Sequence, residues 1–400
     1  MALGLLTALN LLNYVDRNVL FAVQSLVQEE FSVTKAQIGL LTSAFLGCYM
    51  LAAPLTGPLA DRYSRRRVIA IGAALWSGLT LLTAVTHTYS ELLVRHTLVG
   101  VGEAVFSTIA PTFVADLFSE ERRGRILGIF YLAIPVGSAA GYLLGGYLAP
   151  LHGWRFPFYI AAIPGFILAL IIWFIPEPER GQFDAPLPPR RDTIKGLFSN
   201  PAFWTATLGM AMMTFSLGGL QVWMPSFLVQ ERGYTLKSAN FVFGIIIVVD
   251  GILATLIGGW LGDRLLPRMK GAYYLVSAVS MALGVPAMIV ALYFRGRAMI
   301  PGLCVAAFFL LINTSPLNAA LINSVGPHVR ATALATNIFI IHSLGDVPSP
   351  TLMGRIADRS SLQASFVLPV IAMIASSAIL FFGMRFAPKV LESQPEATRT

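Results

Sequence analysis

Asn13-Tyr14-Val15-Asp16-Arg17-Asn18 interrupts an apolar run that begins at Ala2 and resumes from Val19 to Val27. Read as one helix starting near Leu3, the run carries Asp16 roughly 20 Å along its axis at ~1.5 Å per residue. That depth is close to the middle of a hydrocarbon layer ~30 Å thick. A charge there costs on the order of 3 kcal/mol, and such residues face a bundle interior or an aqueous cavity. Neighbouring helix positions diverge by ~100°, so Asp16 and Arg17 cannot simply cancel each other. The stretch reads as a membrane-crossing helix with a functional polar centre.

The rest of the chain repeats the apolar pattern. Of 400 residues, 56% are hydrophobic and 12% charged, too few polar groups for the surface of a soluble domain. Twelve apolar spans follow one another, near 3–27, 34–60, 68–86, 91–118, 124–150, 156–175, 201–229, 236–262, 272–294, 298–325, 331–357 and 362–385. An all-α polytopic membrane protein with twelve transmembrane helices is expected. Cys48 and Cys304 both fall inside spans, which leaves no disulfide framework or thiolate metal site to read. The first span lacks a basic segment ahead of it and carries a charge pair, unlike a cleavable signal. Net charge +8 suggests nucleic acid, but position accounts for it. With a cytoplasmic N-terminus, most of the 28 lysines and arginines fall on the cytoplasmic side. That excess orients both termini to the cytoplasm and needs no nucleic-acid partner; the expected location is the cell (inner) membrane.

A long repeat organises the spans. A shift of 202 residues superposes Gly57 on Gly259, Asp61 on Asp263, Arg62 on Arg264 and Lys35 on Lys237. A shift of 208 brings Gly137 to Gly345 and Gly146 to Gly354. Such a period is too long for a solenoid and fits two homologous six-span halves, as in transporters built from parallel repeats. The expected organisation is an N-terminal six-helix bundle over 1–175, a cytoplasmic linker over 176–200, a C-terminal six-helix bundle over 201–386 and a tail over 387–400. The linker is rich in proline and charge, and its end around Ile194, Leu197 and Phe198 reads as a short amphipathic segment on the membrane surface. A carboxylate such as Asp61 at one helix end can cap the N-terminus of a helix that starts nearby. With Gly57, Arg62, Arg65, Arg66 and the duplicated Asp263 and Arg264, it is read as a conformational gate.

Gly57-x-Leu59-Ala60-Asp61-Arg62-x-x-Arg65-Arg66 resembles the loop signature of the major facilitator superfamily, with Ser64 where a glycine is usual. Gly128, Gly137, Gly141, Gly145 and Gly146 are spaced like its antiporter motif, with Tyr142 in place of the usual proline. Three longer strings resemble the Spinster family of lysolipid and sphingolipid transporters. They are Asn13-Tyr14-Val15-Asp16-Arg17, Gly100-Val101-Gly102-Glu103-Ala104 with Ser107 to Pro111, and Tyr131-x-Ala133-Ile134-Pro135-Val136-Gly137-Ser138. The resemblance implies two bundles rocking about a cavity lined by the first, fourth, seventh and tenth spans. It also implies a buried arginine on the fourth span, four residues before Gly100. His96 holds that place here, and Arg95 precedes it.

Glu103 lies about 18 Å from Glu91 at the outer end of its helix, a depth similar to that of Asp16. His96, seven residues before Glu103, shares its face, while Arg95 lies about 80° away. Asp16 and Glu103 are read as the proton-coupling acids. Arg17, Arg95, His96, Asn13 and Tyr14 are read as substrate-binding, the arginines for an anionic headgroup. Asp250, His342 and Asp346 are further intramembrane polar residues that suit either function or interhelical bonding. His342 and Asp346 share a face at i,i+4, but no second pair joins them as metal ligands would. Asn313-Thr314-Ser315 matches a glycosylation sequon inside a span, where it is inert, and Gly100-Val101-Gly102 has no strand before it to make a dinucleotide site. No catalytic cluster, cofactor site or metal site is read. The expected function is proton-coupled secondary transport by alternating access. The cargo implied by the resemblance is an anionic amphiphile such as a lysophospholipid or a sphingosine-phosphate-like lipid. The alternatives are a proton-coupled exporter of drugs or organic anions and, from another class, a membrane-embedded lipid hydrolase or transferase. The chain is read as a monomer whose partners are its substrate, protons and membrane lipids.

Overall fold

Helix follows helix from the first residues. The computed structural model describes residues 1–179, 194–325 and 329–387. The first half comprises α1 (Ala2–Phe31), α2 (Lys35–Arg62), α3 (Arg65–Thr83), α4 (Tyr89–Asp116), α5 (Glu120–His152) and α6 (Phe156–Trp173). A short α7 (Ile194–Phe198) leads into α8 (Pro201–Arg232), α9 (Leu236–Leu265) and α10 (Ala272–Tyr293). The last three crossings are each interrupted: α11 (Met299–Leu311) with α12 (Thr314–Asn323), α13 (Arg330–Ile341) with α14 (Pro348–Arg359), and α15 (Leu362–Ser365) with α16 (Val367–Gly383). Most of the linker, 180–193, and the tail beyond Ala387 lie outside the described residues. In α7, Leu197 is buried with Phe203, Leu321 and Val325, whereas Phe198 is exposed.

The twelve crossings follow the apolar spans, and the interruptions have local causes. The Asn313 side chain donates to the Phe309 and Leu310 carbonyls at 2.9 and 3.2 Å, ending α11 at a turn. Between α13 and α14 the chain widens into a π turn over His342–Asp346, closed by the Val347 N–H on the His342 carbonyl at 3.1 Å. Pro348 and Pro350 lack the N–H groups that a regular helix would use there. Nine segments among the described residues are long and apolar enough to cross a membrane. The other three crossings are α1 with Asp16 and Arg17, α3 with Arg65, Arg66 and Arg67 at its start, and the one cut by the π turn. The outer surface of the bundle is apolar, as Ile167, Leu170, Leu256 and Ile371 show by their exposure. Only a lipid surround tolerates such a face around helices that satisfy their own backbone bonds.

The repeat seen in the sequence is a symmetry of contacts. Gly137 of α5 lies against the Leu11 carbonyl of α1, and Gly345 of the π turn lies against the Ala211 carbonyl of α8. Across the halves, Gly146 of α5 meets Asn240 of α9, and Gly354 of α14 meets the Lys35 carbonyl of α2. At each of these positions a Cβ would collide with the neighbour, so glycine sets the helix spacing.

The hydrogen bonds joining the halves gather at the end where α1 finishes. Gln24 donates to Ser226 at 2.9 Å, Tyr142 to the Gln221 carbonyl at 2.8 Å and Asn240 to the Ala22 carbonyl at 3.1 Å. The Asp358 carboxylate of α14 accepts from the Lys35 and Ala36 N–H groups at the start of α2, at 2.7 and 2.9 Å. Along α2 only Thr56 is buried after Leu46, and Leu51 and Leu55 are 67% and 73% exposed. The molecule is closed at this end and parts toward the arginine-rich end.

Candidate functional site

Four helices set the polar centre. Gly100 lets α4 rest on the Phe45 carbonyl of α2, and Gly102 lets it rest on the Gly72 carbonyl and Trp76 of α3. Held this closely, α4 turns Glu103 toward α1, fully buried. Asp16 and Arg17 then part company as adjacent helix positions must. The Thr80 hydroxyl of α3 donates to Asp16, which is itself buried. Arg17 Nε donates to Glu103 Oε2 at 2.5 Å. Asn13, one turn earlier on α1, approaches the same carboxylate.

The Arg17 guanidinium is enclosed by aromatic rings, with Tyr49, Tyr14 and Phe45 centroids at 4.9, 5.1 and 5.2 Å. Ring faces attract a cation electrostatically, most strongly where water is excluded. Arg17 Nη2 and Glu103 Oε1 are buried and have no hydrogen-bond partner among the described residues. A cavity of about 100 Å³ opens beside the pair, lined by Tyr14, Arg17 and Phe45 from one half and by Gln221, Val222 and Asp346 from the other. Asp346 and the His342 ring form a pair at 2.8 and 3.0 Å, and that ring stands edge-on to Tyr49 with centroids 6.3 Å apart.

Two residues expected at the substrate are placed elsewhere. Arg95 sits near the closed end, donating to the Leu82 carbonyl at 2.7 Å and pairing with Glu91 at 3.6 Å. His96 is buried against the Phe45 ring, 5.3 Å between centroids, and does not line the cavity. Arg17, the other arginine read as a headgroup ligand, is the one that pairs with Glu103. The reason is distance along α4: Arg95 lies two turns beyond Glu103 and turns toward α3. Asp250 is buried on α9, beside Cys304 of α11, and its Oδ2 has no hydrogen-bond partner among the described residues.

At the arginine-rich end the capping carboxylate of α3 is Glu177, which sequence reasoning did not single out. It accepts from the Arg65 N–H at 2.8 Å and the Ser64 hydroxyl at 2.5 Å. Arg65 also pairs with Asp116 at 2.5 Å and Glu177 at 3.5 Å, and Arg66 donates to the Ile175 carbonyl at 2.5 Å. Burial works against the Glu177 carboxylate. The Ser64 hydroxyl, the Arg65 N–H and the Arg65 guanidinium more than offset it and hold the carboxyl below the usual range. Asp61 and Arg62 are exposed on the last turn of α2, with Gly57 one turn behind in open space. In the second half, Asp263 accepts from the Tyr273 hydroxyl at 2.7 Å, and Arg264 lies 5.5 Å from the Trp260 ring. Glu177 is more than a hundred residues from the helix it caps, so no local signal marks it. Tyr49 and Phe45, four apart on α2, read in the sequence only as apolar-face aromatics.

A profile of the Major Facilitator Superfamily matches residues 6–350. Protein spinster homolog 3 of Danio rerio is 33% identical over 384 residues, covering 90% of this chain and 77% of that protein. The sphingosine-1-phosphate transporter SPNS2 of Danio rerio is 35% identical over 391 residues, covering 91% of this chain and 77% of that protein. Among solved structures, a bacterial homolog of the human lysosomal transporter Spinster, in an inward-facing and occupied conformation, matches with a TM-score of 0.86. That match covers 96% of both chains at 23% identity, a likeness of fold.

Proposed function

Because the chain belongs to the Spinster family within the major facilitator superfamily, we propose that it is a proton-coupled secondary transporter of an anionic amphiphile. The cargo class is a lysophospholipid or a sphingosine-phosphate-like lipid, as the name of the Danio rerio SPNS2 relative suggests. Bundles 1–175 and 201–386 rock about the central cavity, joined by linker 176–200, with both termini in the cytoplasm. One observation carries the reading: Arg17 is held by Glu103 on one side while its Nη2 remains buried and unpartnered beside the cavity.

An arginine fork suits phosphate, which can take two donors at once. A phosphate that draws Arg17 away leaves Glu103 without its cation. A lone carboxylate buried at that depth is held neutral by a proton. Anion and proton therefore occupy the site together, and charge crosses the membrane only in compensated form. Asp16, bonded to Thr80 one position away, is the second acid of the relay. Tyr14 and Asn13 complete the α1 face of the site.

The test is transport of labelled lysolipid in proteoliposomes. Glu103→Gln keeps the shape of the protonated acid, so it should exchange lipid across a membrane without a gradient yet fail to accumulate it in response to pH. Arg17→Ala should lose most binding, while Arg17→Lys keeps part of it. Undiminished pH-driven accumulation in Glu103→Gln removes this acid from the coupling, and full lipid binding by Arg17→Ala removes the headgroup assignment.

A further inference from the structure

The cavity beside Arg17 has a second charged wall. Asp346 lines it from the π turn, and among the described residues only the His342 ring lies within ion-pair distance of its carboxylate. Both Asp346 oxygens contact the same ring nitrogen, at 2.8 and 3.0 Å. A carboxylate has about four lone-pair sites, so capacity remains on the cavity side. Gln221, an amide with its own carbonyl oxygen, lines the cavity as well. The two halves thus oppose a cation and an anion across one small space. Arg17 is balanced within its own half by Glu103, whereas among the described residues no lysine or arginine pairs with Asp346.

The rings decide which cation fits. Quaternary ammonium groups are recognised by aromatic faces. Here the faces of Tyr14, Phe45 and Tyr49 are already taken by the Arg17 guanidinium. What remains for a ligand cation is the Asp346 carboxylate and the neutral oxygens of Gln221, Asn18, Thr42 and Ser138, which reward N–H donors.

We propose that Asp346 is the subsite for a primary ammonium, so that the site selects a phosphate–ammonium zwitterion over both its quaternary analogue and a headgroup of phosphate alone. This rests on the lipid reading given above and deepens it. The phosphate engages Arg17, the ammonium donates to Asp346 and Gln221, and His342 orients the carboxylate as a positioning residue.

The experiment compares lysolipids of one acyl chain whose heads are phosphoethanolamine, its mono-, di- and trimethylated forms, and phosphate alone, binding to the full chain in nanodiscs. The primary amine should bind about tenfold more tightly than the trimethylated or phosphate-only lipid, the low end of what a hydrogen bond to a charged group contributes. Affinity should fall at each methylation as donors are lost. In Asp346→Asn the ratio between primary-amine and phosphate-only lipids should collapse toward one. The wild-type methylation series stands by itself if that variant does not fold. A flat series, or a ratio unchanged in Asp346→Asn, overturns the assignment of Asp346 while leaving lipid transport intact. If none of the lipids binds the wild type, the lipid reading falls and this inference with it.

Discussion

Replacing Asp358 with asparagine should loosen the closed end of the molecule. The carboxylate bridges the halves by accepting from two N–H groups, Lys35 and Ala36, at 2.7 and 2.9 Å. These are first-turn donors of α2, which carry the positive end of the helix dipole. Hydrogen bonds to a charged group are worth ~1.5–3 kcal/mol where water is excluded, but this site is exposed and screened. Asparagine also keeps one acceptor oxygen. A loss of ~1–2 kcal/mol follows, comparable to removing a helix cap, which changes the ratio of closed to open molecules about 5- to 30-fold. The repeat sharpens the test, because the shift of 208 that pairs Gly146 with Gly354 brings Pro150 to Asp358. The mirror interface between α5 and α9 therefore has no carboxylate there and instead holds the Lys237 ammonium 4.6 Å from the Tyr147 ring. An exposed cation–π contact is worth ~0.5–1 kcal/mol, so Tyr147→Leu should shift the balance less. Spin labels at His87 and Arg295, both exposed at the closed end, would report the separation of the halves, with Cys48 and Cys304 replaced. An Asp358→Asn distance distribution identical to the parent, or a larger shift in Tyr147→Leu, would refute the latch.

Asp61→Asn should move the balance between states open at either end while substrate binding persists. Unchanged distances between labelled arginine-end loops would count against a gating role for Asp61. Glu177→Gln should lower thermal stability in detergent at neutral pH by ~1–2 kcal/mol, the loss of charge-assisted bonds to Ser64 and Arg65. Because the Glu177 carboxyl is held below its ordinary range, this stabilisation is complete above the unfolded glutamate value of ~4.3 and disappears as pH falls through the lower folded value. The melting difference between parent and Glu177→Gln should accordingly shrink below about pH 4, and a difference that persists there would exclude this cause.

Sequence alone determined the twelve crossings, since each needs a long apolar run and the runs are visible in order. It also determined the two halves, because Gly137 and Gly345, or Gly146 and Gly354, must stay small wherever equivalent helices touch. The depth of Asp16, Arg17 and Glu103 followed from helical rise, and the divergence of Asp16 from Arg17 followed from helical pitch. What each side chain meets was decided only by tertiary structure. Helix phase says that Asp16 and Arg17 face different ways, but Thr80 and Glu103 become their partners because Gly100 and Gly102 seat α4 closely on α2 and α3. Arg95 was read beside Arg17 as a substrate-binding residue about 80° from the face of Glu103, yet the pairing of helices leaves it at the closed end with Glu91. Glu177 and Asp358 act on helix starts more than a hundred residues away. Such contacts depend on which helix ends are brought together in space, and periodicity along one chain carries no record of that.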